Sequence, residues 1–444
     1  MIAGAIAKPP EVLSRWILAS GMDVLCDLSK SHGAYLHDAR SGSEYLDLFS
    51  FFGARALSFN HPKLADPEFV ERIGRVALHK PSNCDVYTPE YEAFVERFCT
   101  GALGGAFAKV FFIEGGSPAV ENAVKTAIDW KHRKNMRTGR GEKGAQIIHF
   151  EGAFHGRTGY ALSLTDSSDP RKTQFFPRFD WPRVSSPSMC FPFDEQAALD
   201  VAAREAESLR EIEAAFDANP DDIAAIIIEP IQGEGGDRYF RTEFLAELRR
   251  LSLEREALLI FDEIQTGFGS TGTWWDWQHH GVKPDVMVFG KKTQVCGIAV
   301  TERVNEVESV FVVPSRISST FEGNVVDMVR CHRMIDIIEE DNLLSHALRM
   351  GDYLMKLLGD LSEAFEEVSG VRGRGLWAAF DLPTREERDR VIRGCFEEYL
   401  IVMGCGEKSI RVRPALDIRA DAIGRAVAQL EAGICRAYKR KALG

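Results

Sequence analysis

Two residues in this sequence close runs of hydrophobics in a way that invites chemistry. Asp262 ends ALLIFD (257–262), and Lys291 follows DVMVFG (285–290), 29 positions after Asp262. A carboxylate at the end of an apolar run needs a cation or hydrogen-bond donors to offset burial. A lysine at the same edge, stripped of water, loses its proton readily and becomes a nucleophile towards carbonyls. Lys292 competes with its neighbour for that part. Further motifs join them. Residues 114–119 (EGGSPA) set two glycines and a serine between an apolar run and a helical one, where backbone N–H groups and a helix end favour an anion. Ser117 reads there as the N-cap, with Pro118 at the first helical position. Residues 154–157 (FHGR) offer Phe154 for stacking on a planar ring, His155 beside it, and Arg157, whose fork fits a carboxylate. Residues 228–236 (IEPIQGEGG) carry Glu229 and Glu234 among glycines, and 261–269 (FDEIQTGFG) adds Gln265. Each alone has a plain structural reading: a capped turn, a core aromatic with a surface arginine, solvated acids, a turn cap, surface lysines.

The motifs gain weight from the elements that must hold them. Residues 109–113, 145–150, 224–229, 257–262 and 285–289 are apolar nearly throughout rather than alternating, the pattern of strands covered on both faces. Helical runs at 119–134, 195–216 and 242–255 lie between them. This alternation predicts an α/β domain with a mostly parallel sheet, and such sheets place ligands outside the carboxyl ends of their strands. All five motifs fall there. After residue 325 the pattern changes to helices at 327–340 and 343–362, a strand at 376–380, a helix at 385–399, a strand at 409–412 and a final helix at 420–438. The first 60 residues are irregular, with strand-like pieces at 34–37 and 44–49. The expected organisation is an N-terminal segment, 1–59, packed with the small domain; a large α/β domain, 60–324; and a smaller α+β domain, 325–444. No internal repeat and no Gly/Ser linker is present.

Composition narrows the function classes. The 444 residues include 54 Lys and Arg against 66 Asp and Glu, a net charge of −12. So acidic a chain is a poor partner for nucleic acid or an anionic membrane, and the basic stretch 436–441 (RAYKRK) reads as a solvated helix end. Nine cysteines, an odd number with no CxxC spacing, argue against a disulfide framework or a zinc ribbon, and hence for no metal and a reducing, cytoplasmic setting. No apolar run reaches the roughly 18 residues that span a bilayer, and the start, MIAGAIAKPP, lacks the basic region of a signal peptide.

Together the motifs supply a phosphate cradle, a ring-stacking aromatic, a carboxylate for a pyridinium nitrogen and a Schiff-base lysine, the parts that a pyridoxal phosphate site needs. At this point the sequence resembles the class III (ω) aminotransferases, a subgroup of the fold-type I pyridoxal phosphate-dependent transferases. The resemblance runs from residue 25 to residue 430 and is carried by FDEIQTGFGSTGTWW (261–275) with the lysine of FGKK. It implies that Lys291 and Asp262 are catalytic, the first bonding the cofactor and shuttling the proton, the second pairing with the ring nitrogen. It also implies that Gln265 sits beside the phenolic oxygen, that Phe154 stacks on the ring with His155 next to it, and that Gly116 and Ser117 bind the phosphate. Thr320 would complete that phosphate site from the other subunit of a homodimer with shared active sites. Arg157 would hold a substrate carboxylate. Glu234 and Arg411 (in IRVRP) would form a gate, closed for the amine donor and open when Arg411 takes the α-carboxylate of 2-oxoglutarate or glutamate.

The chain departs from the family pattern at Pro118, where a glutamate is usual, and at 293–297 (TQVCG), where glycines are usual. Both departures, with GKKTQVCG (290–297) and VPSRISSTFEGNVVDMVR (313–330), are similar to the bacterial members that act on the ε-amine of L-lysine. The expected reaction is transfer of that amine to 2-oxoglutarate, giving L-glutamate and 2-aminoadipate 6-semialdehyde, which cyclises to a piperideine carboxylate. The alternatives are 4-aminobutyrate or ornithine as donor, or a non-catalytic binding module on the same fold. A nucleotide-binding Rossmann protein would want GxGxxG after the first strand, and residues 115–116 do not fit it.

Overall fold

The structure is a computed structural model and describes residues 10–440. Residues 1–9, and Lys441 of the basic stretch, lie outside the described residues. The described residues divide into two compact units, residues 71–268 with 273–336, and residues 10–70 with 269–272 and 337–440.

The larger unit is built on a seven-stranded sheet. Its strands are β1 (Lys109–Ile113), β2 (Gln146–Phe150), β3 (Arg183–Val184), β4 (Ile223–Ile228), β5 (Leu258–Asp262), β6 (Val286–Phe289) and β7 (Cys296–Val300), in the order β1-β7-β6-β5-β4-β2-β3. Neighbours from β6 to β3 are parallel, and β7 runs antiparallel to both β6 and β1. Three helices matter for the core, α1 (Gly116–Arg137), α2 (Glu195–Ala218) and α3 (Thr242–Glu254). Strand side chains alternate between faces, and here both faces are apolar because both are covered. Ala225, Ile227, Leu258, Ile260, Val286 and Val288 pack with Ala119, Val120, Ala123, Val124, Ala127 and Trp130 of α1. Their alternates Ile226, Ile228, Leu259 and Phe261 pack with Ile212 and Phe216 of α2 and with Phe244, Leu245, Leu248 and Leu251 of α3. Asp285, fully buried, ties the start of β6 to β5 by accepting from the Leu259 N–H at 2.9 Å, and it is paired with Arg303 at 2.6 Å.

β7 is the strand the sequence pattern does not announce. It follows β6 after a six-residue loop, too short for a crossover helix, and so returns antiparallel. Its register, Gly297 opposite Phe289 and Cys296 opposite Ile113, puts its first residue at the edge where β1 and β6 end.

The smaller unit holds an antiparallel sheet of β8 (Ser369–Arg374), β9 (Trp377–Asp381), β10 (Met403–Cys405) and β11 (Ser409–Val412), ordered β8-β9-β11-β10. With it go α4 (Leu343–Ala364), α5 (Arg385–Glu397) and α6 (Ala420–Tyr438). Leu36, Tyr45, Phe49 and Phe59 pack with Ile401 and Met403 in a core of their own. The basic end of α6 is paired within this unit, Arg436 with Glu398 and Arg440 with Glu367. Among the described residues no helix is long and apolar enough to cross a membrane, no His/Cys/Asp/Glu cluster could hold a metal, and all nine cysteines are free.

Candidate active site

The carboxyl ends of β1, β2, β4, β5 and β6 share one edge of the large sheet, as the register Val288–Asp262 and Ile228–Phe261 requires. A cavity of about 540 Å³ opens there, lined by residues at or just beyond those strand ends, with Cys296 from the start of β7. Eight of the eleven residues given a catalytic or binding role in the sequence line it: Gly116, Ser117, Phe154, His155, Arg157, Asp262, Gln265 and Lys291.

The cradle forms at the start of α1. Gly115, at φ +99°, is the N-cap, a conformation that a side chain would strain. The expectation that Ser117 caps the helix is corrected here. Ser117 lies inside the first turn, and its Oγ is taken by accepting from the N–H groups of Arg157 and Thr158, at 3.2 Å each. That contact clamps the FHGR loop onto the helix end. Gly156 makes it possible: at φ +130°, a Cβ there would run into the Ser117 hydroxyl.

Asp262 is 5% exposed and is held twice. Its Oδ1 accepts from the Ile264 N–H at 3.0 Å, and His155 Nδ1 donates to its Oδ2 at 2.8 Å. His155 Nε2 is buried without a hydrogen-bond partner among the described residues. Glu229, buried just past the end of β4, accepts from the N–H groups of Phe154 (2.9 Å) and Gly233 (3.1 Å). Burial pushes its carboxyl up to about 7, and the nearby Asp262 adds to the rise.

The two adjacent lysines part company. Lys291, at φ +54°, lines the cavity. Lys292 donates from Nζ to the carbonyls of Gln265 (2.6 Å) and Gly267 (3.3 Å) and does not line it. Gln265 is hemmed from the other side by Gly233, where any Cβ would strike its side chain.

Three expected residues are not in the cavity wall. Thr320 is exposed, and its carbonyl accepts from Ser82 Oγ at 2.8 Å. Glu234, in the turn between the short strands Ile231–Gln232 and Arg238–Tyr239, is ion-paired with Lys172. Arg411 belongs to the other unit, on β11, where it is 2% exposed with its Nη2 3.3 Å from Met403 Sδ. The cavity also takes in Ile264, Gln294 and Cys296, which lie within quoted motifs but were given no role there. Cys296 could have been found only by knowing that β7 runs antiparallel, since that alone brings its first residue to the ligand edge.

A buried carboxylate, an amine, an aromatic face and a helix N-terminus bounded by glycine, around one cavity, suit a phosphorylated pyridine carbonyl compound. The donor set fits that group in particular. Asp262 is a carboxylate for a ring nitrogen, Lys291 an amine for the carbonyl, and the 115–117 turn of a 22-residue helix an anion cradle.

Comparison with known proteins gives the same class. The family Aminotransferase class-III matches residues 17–434. The L-lysine-epsilon aminotransferase of Mycobacterium tuberculosis is 48% identical over 428 residues, covering 96% of this chain and 94% of that protein. The mitochondrial 4-aminobutyrate aminotransferase of Sus scrofa is 32% identical, covering 90% and 83%. Among solved structures, a lysine aminotransferase from M. tuberculosis superposes with a TM-score of 0.94 at 47% identity, covering 96% of this chain and 98% of that one. The chain belongs to the class III aminotransferases, fold-type I enzymes whose cofactor is pyridoxal phosphate.

Proposed function

We propose that this protein is a transaminase that moves the ε-amino group of L-lysine to 2-oxoglutarate, yielding L-glutamate and 2-aminoadipate 6-semialdehyde. The observation that carries the reading is near-full-length likeness to L-lysine-epsilon aminotransferases, well above that to the 4-aminobutyrate enzyme, on a cavity that gathers Lys291, Asp262 and the glycine cradle.

When bound, pyridoxal phosphate supplies a carbonyl carbon for the amine and a ring that accepts the electron pair released at the substrate carbon. The chain's own residues do the rest. Gly116 and Ser117 hold the phosphate at the start of α1. Asp262, steadied by His155, keeps a proton at the ring nitrogen. Phe154 would cover one ring face and Gln265 would lie by the phenolic oxygen, both lining the cavity. Lys291 Nζ would take a proton from the ε-carbon of lysine and pass it to the carbon that was the cofactor's carbonyl, the reverse transfer serving the second substrate. Arg157 anchors the α-carboxylate, which fixes the ε-end at the reacting position. Glu234 and Arg411 divide the two substrates, paired while the donor reacts and separated while Arg411 binds the dicarboxylate. Thr320 is supplied by the partner of a homodimer. The nine free thiols support a reducing, cytoplasmic setting.

The test is an absorbance spectrum of the cofactor-loaded protein. A near-ultraviolet band that shifts on adding L-lysine and returns on adding 2-oxoglutarate supports the reading. A band that ignores lysine but answers ornithine or 4-aminobutyrate moves the donor and keeps the chemistry.

A further inference from the structure

Lys172 belongs to no motif, yet it sits against the site. It ends a short turn, Pro170–Lys172, in which the Arg171 N–H donates to the Asp169 carboxylate, and it is only 7% exposed. Its ammonium meets two groups: the carboxylate of Glu234, in an ion pair, and the ring of Phe154, whose centroid lies 5.6 Å away. Phe154 lines the cavity. The pair is buried unevenly, the lysine side chain at 6% exposure and the glutamate at 27%. A buried ammonium resists losing its counter-ion, because an uncompensated charge in that place is costly. Lys172 is therefore a tether on Glu234, and the aromatic face it rests on is part of the cavity wall.

We propose that Lys172 is a positioning residue that holds the Glu234 carboxylate back from the incoming dicarboxylate and so sets the affinity for 2-oxoglutarate. The two substrates differ in the charge they bring. Lysine carries two ammonium groups and one carboxylate; 2-oxoglutarate carries two carboxylates. Without the Lys172 ammonium the Glu234 carboxylate has less positive charge beside it, which disfavours the doubly negative second substrate more than the first. The effect is one-sided, and a purely structural ion pair would not produce that asymmetry. This inference rests on the proposal that Glu234 and Arg411 divide the two substrates.

The experiment uses the cofactor-loaded enzyme with three variants: Lys172→Met, which keeps the apolar stem and removes the charge, Lys172→Arg, which keeps the charge, and Glu234→Gln. Lys172→Met is expected to raise KM for 2-oxoglutarate about tenfold while KM for lysine stays within about twofold. Binding of glutarate, a dicarboxylate that cannot react, followed by thermal shift, weakens by a like factor. Lys172→Arg recovers most of the loss. Added to Glu234→Gln, the Lys172→Met change has a smaller effect on the KM for 2-oxoglutarate than it has alone, since the group it restrains has lost its charge. Equal shifts in both KM values, or none in either, overturn the role of Lys172. If Glu234→Gln shifts the preference between the substrates but Lys172→Met does not, the Lys172 proposal alone falls. If Glu234→Gln leaves that preference unchanged, the division of substrates by Glu234 falls and takes Lys172 with it.

Discussion

The amine of Lys292 donates to the carbonyls of Gln265 and Gly267, while that of its neighbour lies in the cavity wall. Replacing either lysine therefore does a different kind of damage. Lys291→Ala should cut turnover about 10⁴-fold with little change in melting temperature, as the loss of a group that moves the proton requires. Lys292→Ala removes two charge-assisted hydrogen bonds from a residue 4% exposed, and should cost roughly 3 kcal/mol of stability. Steady-state rates and thermal melts on both variants check this, and interchanged outcomes would reverse the assignment. Glu229 gives a pH dependence with a definite sign. Its carboxyl, ordinarily near 4.5, is pushed up to about 7 by burial. Below 4.5 the native and unfolded states both hold the proton. Between 4.5 and 7 the native state keeps a proton that the unfolded chain has released, so stability from this group falls as pH rises through that window. Glu229→Gln removes the titration. It should gain on the parent by roughly 2–3 kcal/mol as pH goes from 5 to 8. Denaturant melts at both pH values measure the difference, and a gap that does not change with pH is the contrary result.

The turn that joins the FHGR loop to the start of α1 depends on backbone shape. Ser117 Oγ accepts two N–H groups from that loop, and the closeness of approach leaves no room for a side chain at position 156. Gly156→Ala has to strain a φ of +130° and push Ser117 aside. It should weaken cofactor binding about tenfold while leaving the two cores intact; titration of the unloaded protein with pyridoxal phosphate gives the number, and unchanged affinity would mean the clamp is incidental. Elements of this kind also explain what could be read from the sequence. β4, β5 and β6 were legible because strands covered on both faces cannot carry polar residues until they end, and their ends are where the motifs stand. β7 was not, because six residues after β6 leave no helical period to separate two apolar runs. β8 was missed for another reason. Its sequence, SGVRGR, has no apolar alternation, and its polarity is balanced by Arg372 bonding Asp381 and Ser409, both 2.9 Å away. Lys172 gave no local signal, since the partner that explains it is 62 residues away.

At the scale of the whole molecule the proposal is that two chains together make each complete site. Each chain carries a net charge of −12, so association needs specific contacts to outweigh repulsion. In the proposed homodimer Thr320 would be such a contact, offered to the phosphate that Gly116 and Ser117 would hold. Thr320 is exposed and lies outside the cavity of its own chain, as a residue donated to a neighbour would. Sharing of this kind predicts subunit complementation. Thr320→Ala should weaken cofactor binding about tenfold, so that at low pyridoxal phosphate the variant is mostly unloaded. Lys291→Ala is inactive for a separate reason. Mixed and allowed to exchange, the two variants form hybrids in which one site pairs an intact Lys291 with an intact Thr320 of the partner subunit, while the other site carries both lesions. With random exchange about a quarter of all sites become normal. Activity in the mixture should therefore rise well above the sum of the separate variants, in step with a sedimenting mass of twice the 49.5 kDa chain. A dimer without complementation would place Thr320 outside the shared site, and a fully active monomer would remove sharing altogether.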